Sequence, residues 1–146
     1  MSEPVMYSGE GIKTFIPQRE PFLMVDKLFS ATENSVETGL TIKEDNILVS
    51  EDGRFSESGV IEHIAQSAAC FAGYNDWINK CPIVLGYIAE IKKFNLEFPV
   101  CQGDELKSAL KVVSSAMNVT LMDAEVLCNG KKAASCKIKI FMDKKK

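Results

Sequence analysis

Glu57-Ser58-Gly59-Val60-Ile61-Glu62-His63-Ile64-Ala65-Gln66-Ser67-Ala68-Ala69-Cys70-Phe71-Ala72-Gly73-Tyr74 is helical text in a chain otherwise written for strands. Ile61, Ile64, Ala65, Ala68 and Ala72 recur at three- and four-residue steps, the period of an α-helix. Ser56 or Ser58 supplies an N-cap, and Gly73 lies near the expected C-terminal end. Val60, Ala69, Cys70 and Phe71 carry apolar character around much of the remaining circumference. A helix that is apolar nearly all round is enclosed by other structure.

The flanking sequence supplies that enclosure. Before the helix, Phe22 to Val25 and Val36 to Ile42 read as two strands joined by Glu33-Asn34-Ser35, with Val36, Thr38, Leu40 and Ile42 alternating at period two. Ile47-Leu48-Val49 is a short extended piece, and Ser50 to Gly53 is turn chemistry. After the helix come Ile83 to Ile91, Phe94 to Phe98, Leu106 to Val113, Val119 to Leu127 and Ala133 to Met142. Asn129-Gly130, inside the turn Cys128 to Lys131, is a strong hairpin signal. No repeat, low-complexity segment or internal linker interrupts the order. It predicts an α+β fold: an antiparallel β-sheet wrapped around one long central helix, in a single domain over 1–146, with 1–14 as a lead-in and 143–146 as a basic tail.

Composition sets the bounds. A chain of 146 residues with 46% hydrophobic and 25% charged residues has the make-up of one ordinary globular core. The net charge of −3 is spread along the chain, and the sizeable basic run is Lys144 to Lys146, which argues against duplex nucleic acid as a partner. An acidic carrier protein needs only a local basic patch, for which Arg19, Lys92 and Lys93 are candidates. No stretch approaches the ~20 apolar residues of a membrane helix, and Met1-Ser2-Glu3-Pro4 lacks a basic and an apolar run, so a cytoplasmic protein is expected. The five cysteines contain no Cys-x-x-Cys pair and read as reduced packing residues. With His63 the one histidine, no metal centre is indicated.

Two positions carry chemistry. Glu62 falls within the apolar helix, where an isolated carboxylate is costly unless paired or protonated. Its helical neighbours Ser58, Gly59, Ala65 and Ala69 are small and leave room for a ligand, while Gln66 lies one turn away on the same face. The other reading of Glu62 is a first-turn acid on a face that reaches water, where the helix dipole favours its anion. His63 points about 100° away round the helix and reads as an ordinary surface or interface histidine. Pro17-Gln18-Arg19-Glu20-Pro21-Phe22-Leu23-Met24-Val25-Asp26 is a stiff bend leading into a strand: a rigid mount for a side chain, or a strand entry and nothing more.

Taken together, Ile16 to Asp26 and Glu62-His63-Ile64-Ala65-Gln66-Ser67-Ala68 resemble the bacterial 3-hydroxyacyl-acyl-carrier-protein dehydratases. Their signatures are Leu-Pro-His-Arg-x-Pro-Phe-Leu-Leu-Val-Asp and Glu-x-Met-Ala-Gln-x-Ala. Ala72-Gly73-Tyr74 and Leu85 to Phe94 look more like the small dehydratase-like branch of aryl-polyene pigment clusters. The resemblance implies a hot-dog fold, no cofactor, and an acyl-carrier protein or acyl-CoA thioester as partner. It also implies a dimer, with itself or with a homologue, whose sites lie between subunits. In the family a histidine takes the α-proton of the thioester and the helix acid protonates the departing 3-hydroxyl. By that resemblance Glu62 and Gln18 are the catalytic positions, and Arg19, Phe22, Gly59 and Gln66 the substrate-binding ones.

The sequence departs from the family in two places. Gln18 stands where the histidine is expected, and an amide has no ionisation near neutral pH. The proline-glycine pair before the family's helix, whose amide polarises the thioester carbonyl, is missing, and Gly59 comes two residues late. Three functions follow as expectations: a dehydratase with an altered site, a hot-dog thioesterase using Glu62 and Gln18, or a non-catalytic subunit that binds thioester or carrier.

Overall fold

A computed structural model of the chain describes residues 6–81 and 86–142. Its strands are β1 (Tyr7–Ser8), β2 (Lys27–Ala31), β3 (Ser35–Thr41), β4 (Arg54–Phe55), β5 (Gly86–Leu96), β6 (Val100–Cys101), β7 (Glu105–Ala116), β8 (Val119–Cys128) and β9 (Lys131–Met142). A 3-10 helix spans Gly9–Thr14, and the helix α1 spans Glu57–Ile78. Seven strands form one antiparallel sheet in the order β1-β2-β3-β7-β8-β9-β5, while β4 and β6 pair separately.

Alternation places the core. On β8, Met122, Ala124, Val126 and Cys128 are buried while Asp123 and Glu125 are exposed; on β9, Ala134, Cys136, Ile138 and Ile140 are buried. That inner face receives Val60, Ile64, Ala68 and Phe71 of α1, which lies on β2, β3, β5 and β7. The β8–β9 turn is the one Asn-Gly dictates, with φ of +50° at Asn129 and +88° at Gly130.

The structure corrects several boundaries. Ser56 is the N-cap, its Oγ accepting from Gly59 N at 3.0 Å, and α1 ends at Ile78 rather than near Gly73. Gly73 instead marks a close approach, since a Cβ there would stand 2.1 Å from the Phe15 carbonyl oxygen. Beside it the rings of Tyr7, Phe15, Tyr74 and Trp77 cluster, edge to face except for the tilted Tyr74–Trp77 pair, with Tyr7 and Phe15 centroids 5.0 Å apart. The expected lead-in therefore carries structure from Tyr7 onward; residues 1–5, the basic tail 143–146 and the expected strand start at Ile83 to Leu85 lie outside the described residues. β5 runs through Phe94 in one piece, its pairing shifting between Lys92 and Asn95, where Lys93 takes a φ of +55°. Of the extended piece Ile47 to Val49, a single bridge from Val49 to Phe55 forms.

Burial is also less even than the sequence implies. α1 buries Val60, His63, Ile64, Ser67, Ala68, Cys70, Phe71 and Tyr74, but Ser58 and Glu62 are exposed and Ile61, Ala65 and Ala69 are half-buried. One face of the helix thus opens to solvent in the single chain. Cys70, Cys128 and Cys136 are buried packing residues, whereas Cys81 is exposed and Cys101 half-buried. Burial pushes the Cys70 thiol up to about 12, which keeps it protonated. Among the described residues no helix is long and apolar enough to cross a membrane.

Candidate active site

Residues 17–26 form a strap across α1. Phe22 N donates to Arg19 O at 2.8 Å, closing a tight turn that contains the cis Glu20–Pro21 peptide. Past this turn the expected strand Phe22 to Val25 does not form, and β2 begins at Lys27. The reason lies in the helix. Gln66 Nε2 donates to Phe22 O at 2.9 Å, Gln66 Oε1 accepts from Met24 N at 2.6 Å, and His63 Nδ1 bonds Met24 O at 2.7 Å. Helix side chains thereby satisfy backbone groups that a neighbouring strand would otherwise take.

Gln66 also reaches Glu62. Its Nε2 donates to Glu62 Oε1 at 3.0 Å, so one amide ties the strap to the carboxylate. Gln66 is 1% exposed and both its amide hydrogens are bonded within the chain, which makes it an orienting residue instead of the substrate contact the sequence suggested. Glu62 is exposed, so the buried setting expected for it is absent from the single chain, as a first-turn acid facing water would have it. With Oε1 held, Glu62 Oε2 makes no hydrogen bond among the described residues.

The remaining predicted positions divide. Arg19 turns its guanidinium back on the main chain, Nη1 to Ile16 O at 2.7 Å and to Gln18 O at 2.8 Å, and so braces the loop before the turn. Phe22 presents a ring that is 63% exposed. Gly59 is buried, its N–H is bonded to the Ser56 cap, and a Cβ would meet the Phe55 ring at 2.6 Å. Its N–H is thus no free oxyanion donor; glycine is required there by packing. Gln18 is half-buried, and its Oε1 is shielded from solvent with no hydrogen-bond partner among the described residues. Lys92 and Lys93 lie on the edge strand β5, at the other end of the sheet order from β1, and Lys92 pairs with Glu90 at 3.3 Å.

His63 is the residue the sequence misread. It is fully buried, with Nε2 2.7 Å from Ser108 Oγ as well as Nδ1 on Met24 O. A carbonyl only accepts, so Nδ1 carries the proton; burial holds the imidazole neutral, with its pKa down to about 4, so Nε2 accepts from the Ser108 hydroxyl. Ser67 Oγ donates to His63 O, and Thr38 in turn donates to Ser67 at 2.7 Å. The signal was present in the spacing, since Val60, His63, Ser67, Cys70 and Tyr74 step by three and four on the buried face.

An antiparallel sheet wrapped on one long helix, with a carboxylate on that helix beside an anchored strap, is a hot-dog fold. The chain belongs to the ApeP-like dehydratase family, which it matches over residues 10–146. It is 30% identical over 138 residues to the 3-hydroxyacyl-[acyl-carrier-protein] dehydratase FabZ of Oceanobacillus iheyensis, an alignment covering 84% of this chain and 94% of the relative. Among solved structures it resembles the dehydratase heterocomplex ApeI:P from Xenorhabdus doucetiae, with a TM-score of 0.84, 16% identity and coverage of 92% of this chain and 91% of that one. It is also similar in fold to a hypothetical thioesterase of Streptococcus pneumoniae TIGR4 solved with coenzyme A, with a TM-score of 0.67, 11% identity and coverage of 82% and 86%.

Proposed function

We propose that the chain binds acyl thioesters and acts as a 3-hydroxyacyl-thioester dehydratase with an altered site, in which Glu62 handles both protons. The observation that carries this reading is the Glu62–Gln66–Phe22 bridge, which fixes one carboxylate oxygen and leaves the other for a proton. Oε2 of the carboxylate takes the α-proton of the thioester, and the electrons of that C–H bond move toward the carbonyl. The same oxygen then returns the proton to the 3-hydroxyl, the C–O bond breaks, and water leaves a 2-enoyl thioester. Gln18 does not transfer a proton in this scheme; its amide orients the thioester.

A site completed by a second chain fits the open face of α1. Ser58, Glu62, Ala65, Ala69 and the Phe22 ring stand uncovered or half-covered together along the helix and strap, and the eleven-residue strand β5 forms an edge of the sheet. Covering that face would take Glu62 out of water and close the site around the thioester. The covering chain is a second copy or a homologous dehydratase, an arrangement the heterocomplex among the structural neighbours supports. The thioester arrives on an acyl-carrier protein or on coenzyme A.

The amide at position 18 favours one other reading, a thioesterase in which Glu62 activates water and Gln18 holds the thioester. Incubation with 3-hydroxyacyl and saturated acyl thioesters separates them. Enoyl product is the expected result, free thiol from the saturated substrate indicates hydrolysis, and binding without turnover indicates a silent subunit.

A further inference from the structure

Several polar groups of the strap are paired within the chain. Phe22 O, Met24 N and Met24 O are bonded to Gln66 and His63, Gln18 O is bonded to Arg19, and Phe22 N is bonded to Arg19 O. Among the buried side-chain nitrogens and oxygens of the described residues, the one without a partner is the side-chain oxygen of Gln18. Buried acceptors are paired in all but a few cases, and leaving one unpaired costs more than a typical hydrogen bond contributes. The strap that holds this oxygen is tied through Phe22 O and Gln66 to the Glu62 carboxylate.

We infer that Gln18 Oε1 accepts the hydrogen of the substrate's 3-hydroxyl, which makes Gln18 a specificity-determining residue for hydroxylated over plain acyl groups. This rests on the reading of the chain as a thioester-binding protein and sharpens its substrate class. A carboxamide oxygen only accepts, so what fills the position must donate. Within the acyl part of a thioester the 3-hydroxyl is a donor, whereas a saturated chain and a 2-enoyl chain have none. A hydroxyl that gives its hydrogen to Gln18 keeps its lone pairs for the proton from Glu62. Once water has left, the oxygen of Gln18 is unpaired again, so the same contact that selects substrate disfavours product.

The test compares binding of 3-hydroxyacyl, saturated and trans-2-enoyl thioesters of one chain length, by calorimetry, in the Glu62→Gln background so that none reacts. With Gln18 in place, the 3-hydroxyacyl thioester is expected to bind about tenfold more tightly than the other two, the effect of one hydrogen bond to an otherwise unpaired acceptor. Gln18→Leu removes that preference, and Gln18→Glu, which keeps an oxygen acceptor, retains it. Equal binding of all three ligands to the Gln18 protein overturns the inference while leaving thioester binding intact. So does a Gln18→Leu protein that loses affinity for all three alike, which would assign the oxygen to an amide of the carrier arm, or one that loses its dimer in sedimentation, which would assign it to a partner chain. If no thioester binds, the functional reading itself fails and takes the inference with it.

Discussion

A single side chain, Gln66, explains more of this site than either residue the motifs put forward, because it joins the strap backbone to Glu62. Gln18→His tests the altered base directly: an imidazole there has a pKa suited to taking the α-proton, and a positioned base contributes about a hundredfold or more. Dehydration of a 3-hydroxyacyl thioester should rise by about tenfold or more in initial-rate assays, and an unchanged rate would mean that the position does not reach the α-carbon. His63 carries a different prediction. Its folded pKa of about 4 lies below the ordinary 6.5, so between those values the unfolded chain binds a proton that the folded chain refuses. Its contribution is therefore fully present above pH 6.5 and lost as pH falls toward 4, a loss of about 3 kcal/mol. Urea midpoints measured across that range should fall more steeply for the native chain than for His63→Gln, which keeps a donor and an acceptor but does not titrate. The motifs put Glu62 and Gln18 forward as candidate site residues. The spacing of Val60, His63, Ser67, Cys70 and Tyr74 carried the burial of His63, but its partners were not legible, because Met24 and Ser108 come from a strap and a strand remote in sequence.

At the scale of elements, period-two alternation found β3, β7, β8 and β9, and period 3.6 found α1, since each of these buries one face on the same core. Phe22 to Val25 shows how the same signal misleads: Leu23, Met24 and Val25 are half-buried or buried, but the backbone is bonded to Gln66 and His63 in place of a neighbouring strand. Gly73 shows the complementary failure. A glycine near the end of an apolar run reads as a helix stop, yet here it admits the Phe15 carbonyl against α1. Gly73→Ala should displace residues 12–16 and disturb the four-ring cluster, at a cost of about 1–3 kcal/mol. Trp77, the one tryptophan in the chain, reports both effects: a changed native emission and an earlier urea midpoint are expected.

At the scale of the molecule, the order of strands, helix and strands was enough for a sheet wrapped on one helix, while Glu62 kept two readings, a costly buried carboxylate and a first-turn acid facing water. The single chain leaves that face open, and burial there needs a second chain. Sedimentation should accordingly show at least a dimer, alone or mixed with a homologous dehydratase, and a stable monomer with full activity would remove the between-chain site. The proton chemistry assigned to Glu62 is tested most directly by following enoyl formation from a 3-hydroxyacyl thioester with the native protein and with Glu62→Gln. Enoyl product is expected from the native protein and a fall of about a hundredfold or more in the variant, whereas equal rates would contradict the assignment of the reaction to this carboxylate.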